Sequence, residues 1–268
     1  MVLIATVDAF TAVPFRGNPA GVCILPGPVD DSWMEQVAAE MNLSETAFVV
    51  PQGRHFNLRW FTPATEVGLC GHATLAAAHI LWERGIVPPM DPIRFYTRSG
   101  MLQAYRDGTS VSLDLPANPP IPIATPDGLP DALGVDPVSV HRCRSDLLVE
   151  LGRESEVRSL LPDIRALAAF PGSVIVTALS EQEDADFVSR VFAPAEGIDE
   201  DPVTGSAHCA LGPFWSERLK KTELVGYQAS RRGGYVRVHT GGDRVEIGGE
   251  AVTVLLGDLL YPVGPVDR

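Results

Sequence analysis

The sequence predicts an α+β protein made of two related domains. Three observations carry that prediction: an ordered set of repeated motifs, a small-residue helix in each half, and a proline-dense stretch between the halves. At 268 residues the chain has room for one large domain or two modest ones, each with its own core. Residues 116–137, PANPPIPIATPDGLPDALGVDP, show no hydrophobic period. Proline removes backbone donors and fixes φ, so this run reads as a surface linker. The expected domains are therefore 1–117 and 118–268, with a C-terminal strand able to cross back to the first.

The two sides of this linker resemble each other. Residues 56–64, FNLRWFTPA, lead to CGHATLAAAHILWERG, and residues 187–195, FVSRVFAPA, lead to TGSAHCALGPFWSERL. Each copy runs from Arg-x-Phe-x-Pro-Ala through a short acidic connection to a Gly-polar-Ala step. Each then closes on a tryptophan followed by arginine, Trp82 with Arg84 and Trp215 with Arg218. The connection is eight positions from Pro63 to Gly71 and eleven from Pro194 to Gly205. Behind each helix, FYTRSGMLQAYRDGTSVSLDL and YQASRRGGYVRVHTGGDRVEI alternate apolar and polar residues around a turn, as paired half-buried strands do. Three matches in the same order indicate an internal duplication.

In each copy a glycine and a polar residue open the helix, Gly71-His72 and Gly205-Ser206. The first N–H groups of a helix have no intrahelical partner, and the macrodipole adds positive potential there. Such starts are candidate anion sites, and duplication offers two for one carboxylate. Ala73, Ala76, Ala77 and Ala78 in the first helix, with Ala207 and Ala210 in the second, suit burial at a domain centre.

Composition narrows the function. With 45% hydrophobic and 21% charged residues, the chain is of ordinary globular type. The formal net charge of −13 leaves no basic excess for nucleic acid or an anionic membrane. No apolar run reaches membrane-spanning length, and the N-terminus, MVLIATVDAF, reads as a first strand rather than a signal peptide. Four cysteines without a C-x-x-C pair make a reducing cytoplasm the default.

Chemistry at the first helix has several readings. His72 and His79 stand seven apart, about 10 Å along a helix, too far to chelate one ion together. No metal is expected. His55, His141 and His239 are isolated, and His208 either lines a site or packs. Cys70 precedes the helix start, where a thiolate is favoured, but the second copy has Val203-Thr204 in the matching place and Cys209 a turn further in. Cys70 thus reads as a lone catalyst or as a small buried residue. Three acids stand near these motifs: Glu45 in NLSETAFVV, Glu66 in the first connection, and Asp201 before Pro202 in the second.

The runs VDAFTAVPFRGNPAGVC at 7–23, MNLSETAFV at 41–49, FTPATEVGLCGHATLAAAHIL at 61–81 and FAPAEGIDEDPVTGSAH at 192–208 resemble the PhzF-like phenazine biosynthesis family. The resemblance implies a diaminopimelate epimerase-like fold, two barrel-like sheets each around a central helix with a site between them. It implies a cytoplasmic homodimeric isomerase that needs no metal or organic cofactor. Its implied substrate resembles trans-2,3-dihydro-3-hydroxyanthranilate. Carried over by motif, Glu45 is the acid/base, with His72 and Asp201 assisting. Amides around Gly71, His72, Gly205 and Ser206 hold the carboxylate, and Asn18 and Ser44 are candidates for further hydrogen bonds. The competing expectations are a Cys70-assisted racemase or epimerase and a non-catalytic carboxylate-binding protein.

Overall fold

The computed structural model describes residues 2–260. The chain runs β1 (Val2–Ala9), β2 (Asn18–Ile24), α1 (Asp31–Met41), β3 (Glu45–Gln52), β4 (His55–Phe61), β5 (Glu66–Val67), α2 (Gly71–Glu83), β6 (Ile93–Thr97), β7 (Gly100–Asp107) and β8 (Ser110–Pro116). It continues through β9 (Ile121–Ile123), α3 (Leu129–Leu133), β10 (Ser139–Cys143), β11 (Asp146–Glu150), α4 (Glu154–Ser159), α5 (Ile164–Leu167), β12 (Val174–Leu179) and β13 (Phe187–Ala193). The last elements are β14 (Ile198–Asp201), α6 (Gly205–Leu219), β15 (Glu223–Gln228), β16 (Gly234–Gly241) and β17 (Arg244–Leu259). Two compact units result. Among the described residues, the first holds 2–114 and 248–260, and the second holds Leu115–Ile247.

In the first unit the strands close on themselves. β1 pairs antiparallel with β2, β2 parallel with β3, β3 antiparallel with β4, β4 parallel with β6, and β6 and β7 antiparallel with β7 and β8. β17 closes the ring, pairing with β8 on one side and antiparallel with β1 on the other. Closure removes free sheet edges and leaves room for one element inside. α2 fills that place, with Gly71–Ala78 and Ile80–Trp82 buried around its whole circumference. A helix apolar on every side is stable only inside a core. Its alanines admit the strands closely, and Ala73, Ala76, Ala77 and Ala78 are all fully buried.

Two strands can lie parallel and adjacent only if a crossover joins them, and α1 supplies it between β2 and β3. Met34, Val37 and Ala38 of α1 pack with Leu25, Phe48 and Phe61 in a separate outer cluster.

The second unit repeats the succession of strand directions. β10–β11 is antiparallel, β11–β12 parallel, β12–β13 antiparallel, β13–β15 parallel and β15–β16 antiparallel. α4 and α5 lie in the crossover between β11 and β12. α6 is the second buried helix, with Ala207–Gly212, Phe214 and Trp215 out of solvent. Pro213 within it cannot donate to the Cys209 carbonyl four residues back, and the amide of Asn118 donates to that carbonyl instead, at 3.0 Å.

The proline-dense run departs from the linker reading. Within it β9 pairs with β10, and α3 buries Leu129, Ala132 and Leu133 in the second core. Apolar residues spaced between prolines are enough to dock an irregular segment, because proline removes donors without removing hydrophobic surface.

Candidate active site

In the first unit the loop over residues 10–17 leads into Asn18, the first residue of β2. Phe10, Phe15 and Gly17 all hold positive φ there. A Cβ at Gly17 would run into the Ala9 carbonyl, so only glycine fits. The loop is tied down by Asp8, fully buried, whose Oδ2 accepts the Phe15 amide at 2.6 Å.

Glu45 opens β3 opposite Ala20, one strand over from Asn18. It follows Asn42, which ends α1 with φ 49 and turns the chain back toward the barrel. Ser44 sits half-buried between the two. Cys70 is the N-cap of α2, Gly71 its first residue and His72 its second, with no side chain capping the helix start.

These elements bring four polar side chains together. The Asn18 amide nitrogen lies 3.2 Å from His72 Nδ1, and the Cys70 Sγ lies 3.5 Å from the same atom. On the other side of the ring, His72 Nε2 lies 3.3 Å from Glu45 Oε2. The His72 side chain is 6% exposed and that of Glu45 13%. Nε2 is buried and makes no well-aligned hydrogen bond. Catalytic contacts are commonly loose before substrate binds. Burial pushes the His72 pKa down to about 3, so the ring is neutral at pH 7.

With the Asn18 NH₂ facing Nδ1, that nitrogen accepts and the ring proton is assigned to Nε2, facing the Glu45 carboxylate. Donor atoms of Glu45, Cys70 and His72 all lie within 4.8 Å of one another, a grouping that the His72–His79 spacing gave no hint of. In this tautomer Nε2 has no lone pair to offer a cation beside Glu45. The arrangement suits a carboxylate acid/base with a hydrogen-bond donor next to it. His79 lies elsewhere, with Nε2 3.2 Å from Thr253 Oγ1 and 3.6 Å from Glu83.

The matching region of the second unit surrounds the start of α6. Asp201 ends β14, and its Oδ2 accepts the Thr204 hydroxyl in a short hydrogen bond. Thr204 is the N-cap, yet that contact diverts its side chain from capping, as it is absent at α2 also. Gln228, fully buried, accepts the Thr204 amide at 2.8 Å and donates to the Asp201 carbonyl at 2.8 Å. Gly205 is buried and Ser206 is exposed. His208 packs rather than lining this loop. It is fully buried against Phe187, and its Nδ1–H donates to the Thr204 carbonyl at 2.8 Å.

The position taken by Cys70 in the first unit is taken by Thr204 in the second, so the two helix starts do not present paired thiols. Cys209 is buried, and that burial raises its thiol to about 12. Glu66 is an ion-pair residue. Arg59 clasps it with two hydrogen bonds of 2.8 and 2.7 Å, and Arg98 approaches it at 2.5 Å. Its counterpart in the second unit is Glu200, clasped in the same way by Arg190 at 2.7 and 3.0 Å. In the sequence Glu66 and Asp201 each stand in an acidic connection, and the structure instead matches Glu66 with Glu200, because the second connection is longer. Sequence reasoning missed Gln228 for want of any local signal.

A family model described as phenazine biosynthesis-like protein matches residues 7–257. An uncharacterized isomerase of Halalkalibacterium halodurans is 51% identical over 96% of this chain and 98% of its own length. The crystal structure of a PhzF-family phenazine biosynthesis protein from Enterococcus faecalis superposes with a TM-score of 0.93. It is 40% identical and covers 97% of this chain and 99% of its own. A predicted epimerase from Pseudomonas aeruginosa, 21% identical, shares the fold with a TM-score of 0.72 over 98% of this chain and all of its own. The expected diaminopimelate epimerase-like α+β architecture is thus the observed one. No helix among the described residues is long and apolar enough to cross a membrane.

Proposed function

The chain belongs to the PhzC-PhzF family and is an isomerase; from that premise we propose that it moves a proton on a small cyclic carboxylate resembling trans-2,3-dihydro-3-hydroxyanthranilate, without a cofactor and with Glu45 as the single acid/base. The observation that carries the reading is the Glu45 carboxylate 3.3 Å from Nε2 of the buried His72, a ring that burial keeps neutral.

In this reading Glu45 takes a proton from one ring carbon. The C–H electron pair spreads into the adjoining unsaturated system, and Glu45 returns the proton to another carbon of that system. One C–H bond breaks and one forms, so no oxidant or reductant is required. The His72 Nε2–H donates to the charged carboxylate and releases it when Glu45 is protonated. Amides of Gly71 and His72 at the start of α2 are the proposed hold on the substrate carboxylate, and those of Gly205 and Ser206 at the start of α6 form the second candidate anion site. Asn18 fixes His72. Ser44 is a candidate to hydrogen-bond the substrate's polar groups beside Glu45, and Asp201, oriented by Thr204, is the candidate beside the α6 start. The enzyme acts as a cytoplasmic homodimer, which sedimentation tests directly.

Proton NMR in D₂O with 2,3-dihydro-3-hydroxyanthranilate tests the proposal. Wild type yields isomerised product and Glu45→Gln yields none while retaining its fold. Tight carboxylate binding without turnover or deuterium uptake would favour the binding-protein reading instead.

The proximity of Cys70 Sγ to His72 Nδ1, 3.5 Å, is the observation that favours a second reading, a thiol-assisted racemase. It predicts deuterium exchange at an amino-acid α-carbon that disappears in Cys70→Ala.

A further inference from the structure

We propose that Ser99 and Ser230 are duplicated positioning residues, each latching the loop that presents the N-terminal amides of a buried helix to the substrate carboxylate. The inference rests on the carboxylate-isomerase reading and adds two residues to it.

The contact is the same in both units. The Ser99 hydroxyl donates to the Gly68 carbonyl at 2.6 Å, and the Ser230 hydroxyl donates to the Pro202 carbonyl at 2.7 Å. Gly68 stands three residues before Gly71, the first residue of α2, and Pro202 stands three residues before Gly205, the first of α6. The serines also match in sequence, each three residues after a tyrosine in Tyr96-Thr97-Arg98-Ser99 and Tyr227-Gln228-Ala229-Ser230. Both follow the strand that pairs parallel with the Arg-x-Phe strand of its unit.

Between tyrosine and serine the two copies have diverged, with Thr97 and Arg98 against Gln228 and Ala229. The hydroxyl and its carbonyl partner persist through that divergence. Both bonds run from hydroxyl to carbonyl, and the Ser230 oxygen also accepts the Gly233 amide at 3.1 Å.

A carbonyl held three residues ahead of a helix sets the plane of the peptides that run into its N-cap. Those peptides aim the amides of Gly71 and His72, or of Gly205 and Ser206, and the N-cap side chain caps neither helix. Ser99 is exposed and Ser230 only half-buried, so neither supports a core. Their contribution is to the aim of the loops rather than to packing.

The test compares Ser99→Ala, Ser99→Thr, Ser230→Ala and Ser230→Thr in the full chain. Amide hydrogen exchange is read at residues 70–73 and 204–207, and benzoate serves as a carboxylate probe followed by NMR titration. Steady-state kinetics on 2,3-dihydro-3-hydroxyanthranilate complete the set. One neutral hydrogen bond lost corresponds to an effect of about three- to tenfold. Each alanine variant is expected to speed exchange in its own loop, weaken benzoate and raise KM by about that factor, with kcat changed less than about twofold. Each threonine variant, which keeps the hydroxyl, restores wild-type values, and thermal midpoints stay close to wild type. Unchanged exchange in both alanine variants overturns the proposal, as does loosening spread over a whole unit or failure of threonine to rescue. If wild type neither binds benzoate nor turns over substrate, the isomerase reading on this substrate fails, and loop exchange still decides whether the latches exist.

Discussion

The Nε2 of His72 lies 3.3 Å from Oε2 of Glu45, while the Asn18 amide nitrogen occupies the other face of the ring, 3.2 Å from Nδ1. The asparagine sets the tautomer and thereby decides whether the carboxylate meets a donor. Asn18→Asp replaces the donor at Nδ1 with an acceptor, which draws the histidine proton to Nδ1 and turns a lone pair toward Glu45. Removing one preorganised donor costs about a hundredfold in kcat. Nitrogen-15 NMR of His72 should show the Nδ1–H form in the variant and the Nε2–H form in wild type. A variant that kept the Nε2–H form would detach Asn18 from this role.

Cys70 separates proton shuttling by a carboxylate from thiol chemistry. The α6 start carries Thr204 where α2 carries Cys70, so a two-thiol mechanism lacks its second member. Cys70→Ala is expected to retain isomerase activity to within about fivefold, since it removes only a weak S–H contact to Nδ1. A loss of several orders of magnitude at unchanged thermal stability would place the thiol in the reaction.

Four histidines whose pKa burial lowers, His72, His79, His141 and His208, tie stability to acid pH, and two of them are shifted furthest. Burial lowers His72 to about 3 and His208 to about 4, against an ordinary value of 6.5. The folded-state values are depressed, so on acidification the unfolded chain binds protons first. The stability gained by keeping both rings neutral is whole above pH 6.5 and is lost as pH falls from 6.5 toward 4 and 3. The slope approaches about 1.4 kcal/mol per pH unit for each histidine. Urea midpoints at pH 7.5 and 5 should show the fall, and His208→Gln should remove the share of it due to that ring. An equal fall in wild type and variant would assign the acid sensitivity to other groups.

Much of this architecture was legible because the chain states it twice. The Arg-x-Phe strands, the Gly-polar-Ala helix starts and the strand pairs behind them fall in the same relative places in both units. For β17 the sequence offered only the possibility that a C-terminal strand crosses back to the first domain, not its partner. Its 16 residues begin in the second unit and finish by closing the first barrel against β1, a pairing between the two ends of the chain. Local pattern cannot reveal such a pairing. The contact of Asn18 with His72, 54 positions apart, is hidden for the same reason. Ser99 and Ser230 stood in an alignable pattern, but their meaning depends on where a loop carbonyl passes. Leu129 and Leu133 were masked by the prolines around them.

The paired clasps of Arg59 on Glu66 and Arg190 on Glu200 make a prediction that separates structure from catalysis. Side-chain exposure is 26% and 11% in the first pair, 12% and 24% in the second, so all four groups are largely withdrawn from water. Arg190 also donates to the carbonyls of Val157 and Leu160, binding the α4 region to β13. Glu200→Gln leaves the guanidinium without its charge partner in a site that water reaches poorly, at a cost of about 3 kcal/mol. Glu66→Gln should cost less, about 1 kcal/mol, because Arg59 keeps Asp31 at 2.5 Å as a more exposed partner. Chemical denaturation measures both costs. Neither residue is a proton-transfer group in the proposed mechanism, so kcat at 25 °C should stay within about twofold for either folded variant. A selective collapse of kcat in Glu66→Gln would restore that residue as an acid/base candidate. A smaller stability cost at Glu200 than at Glu66 would contradict the burial argument.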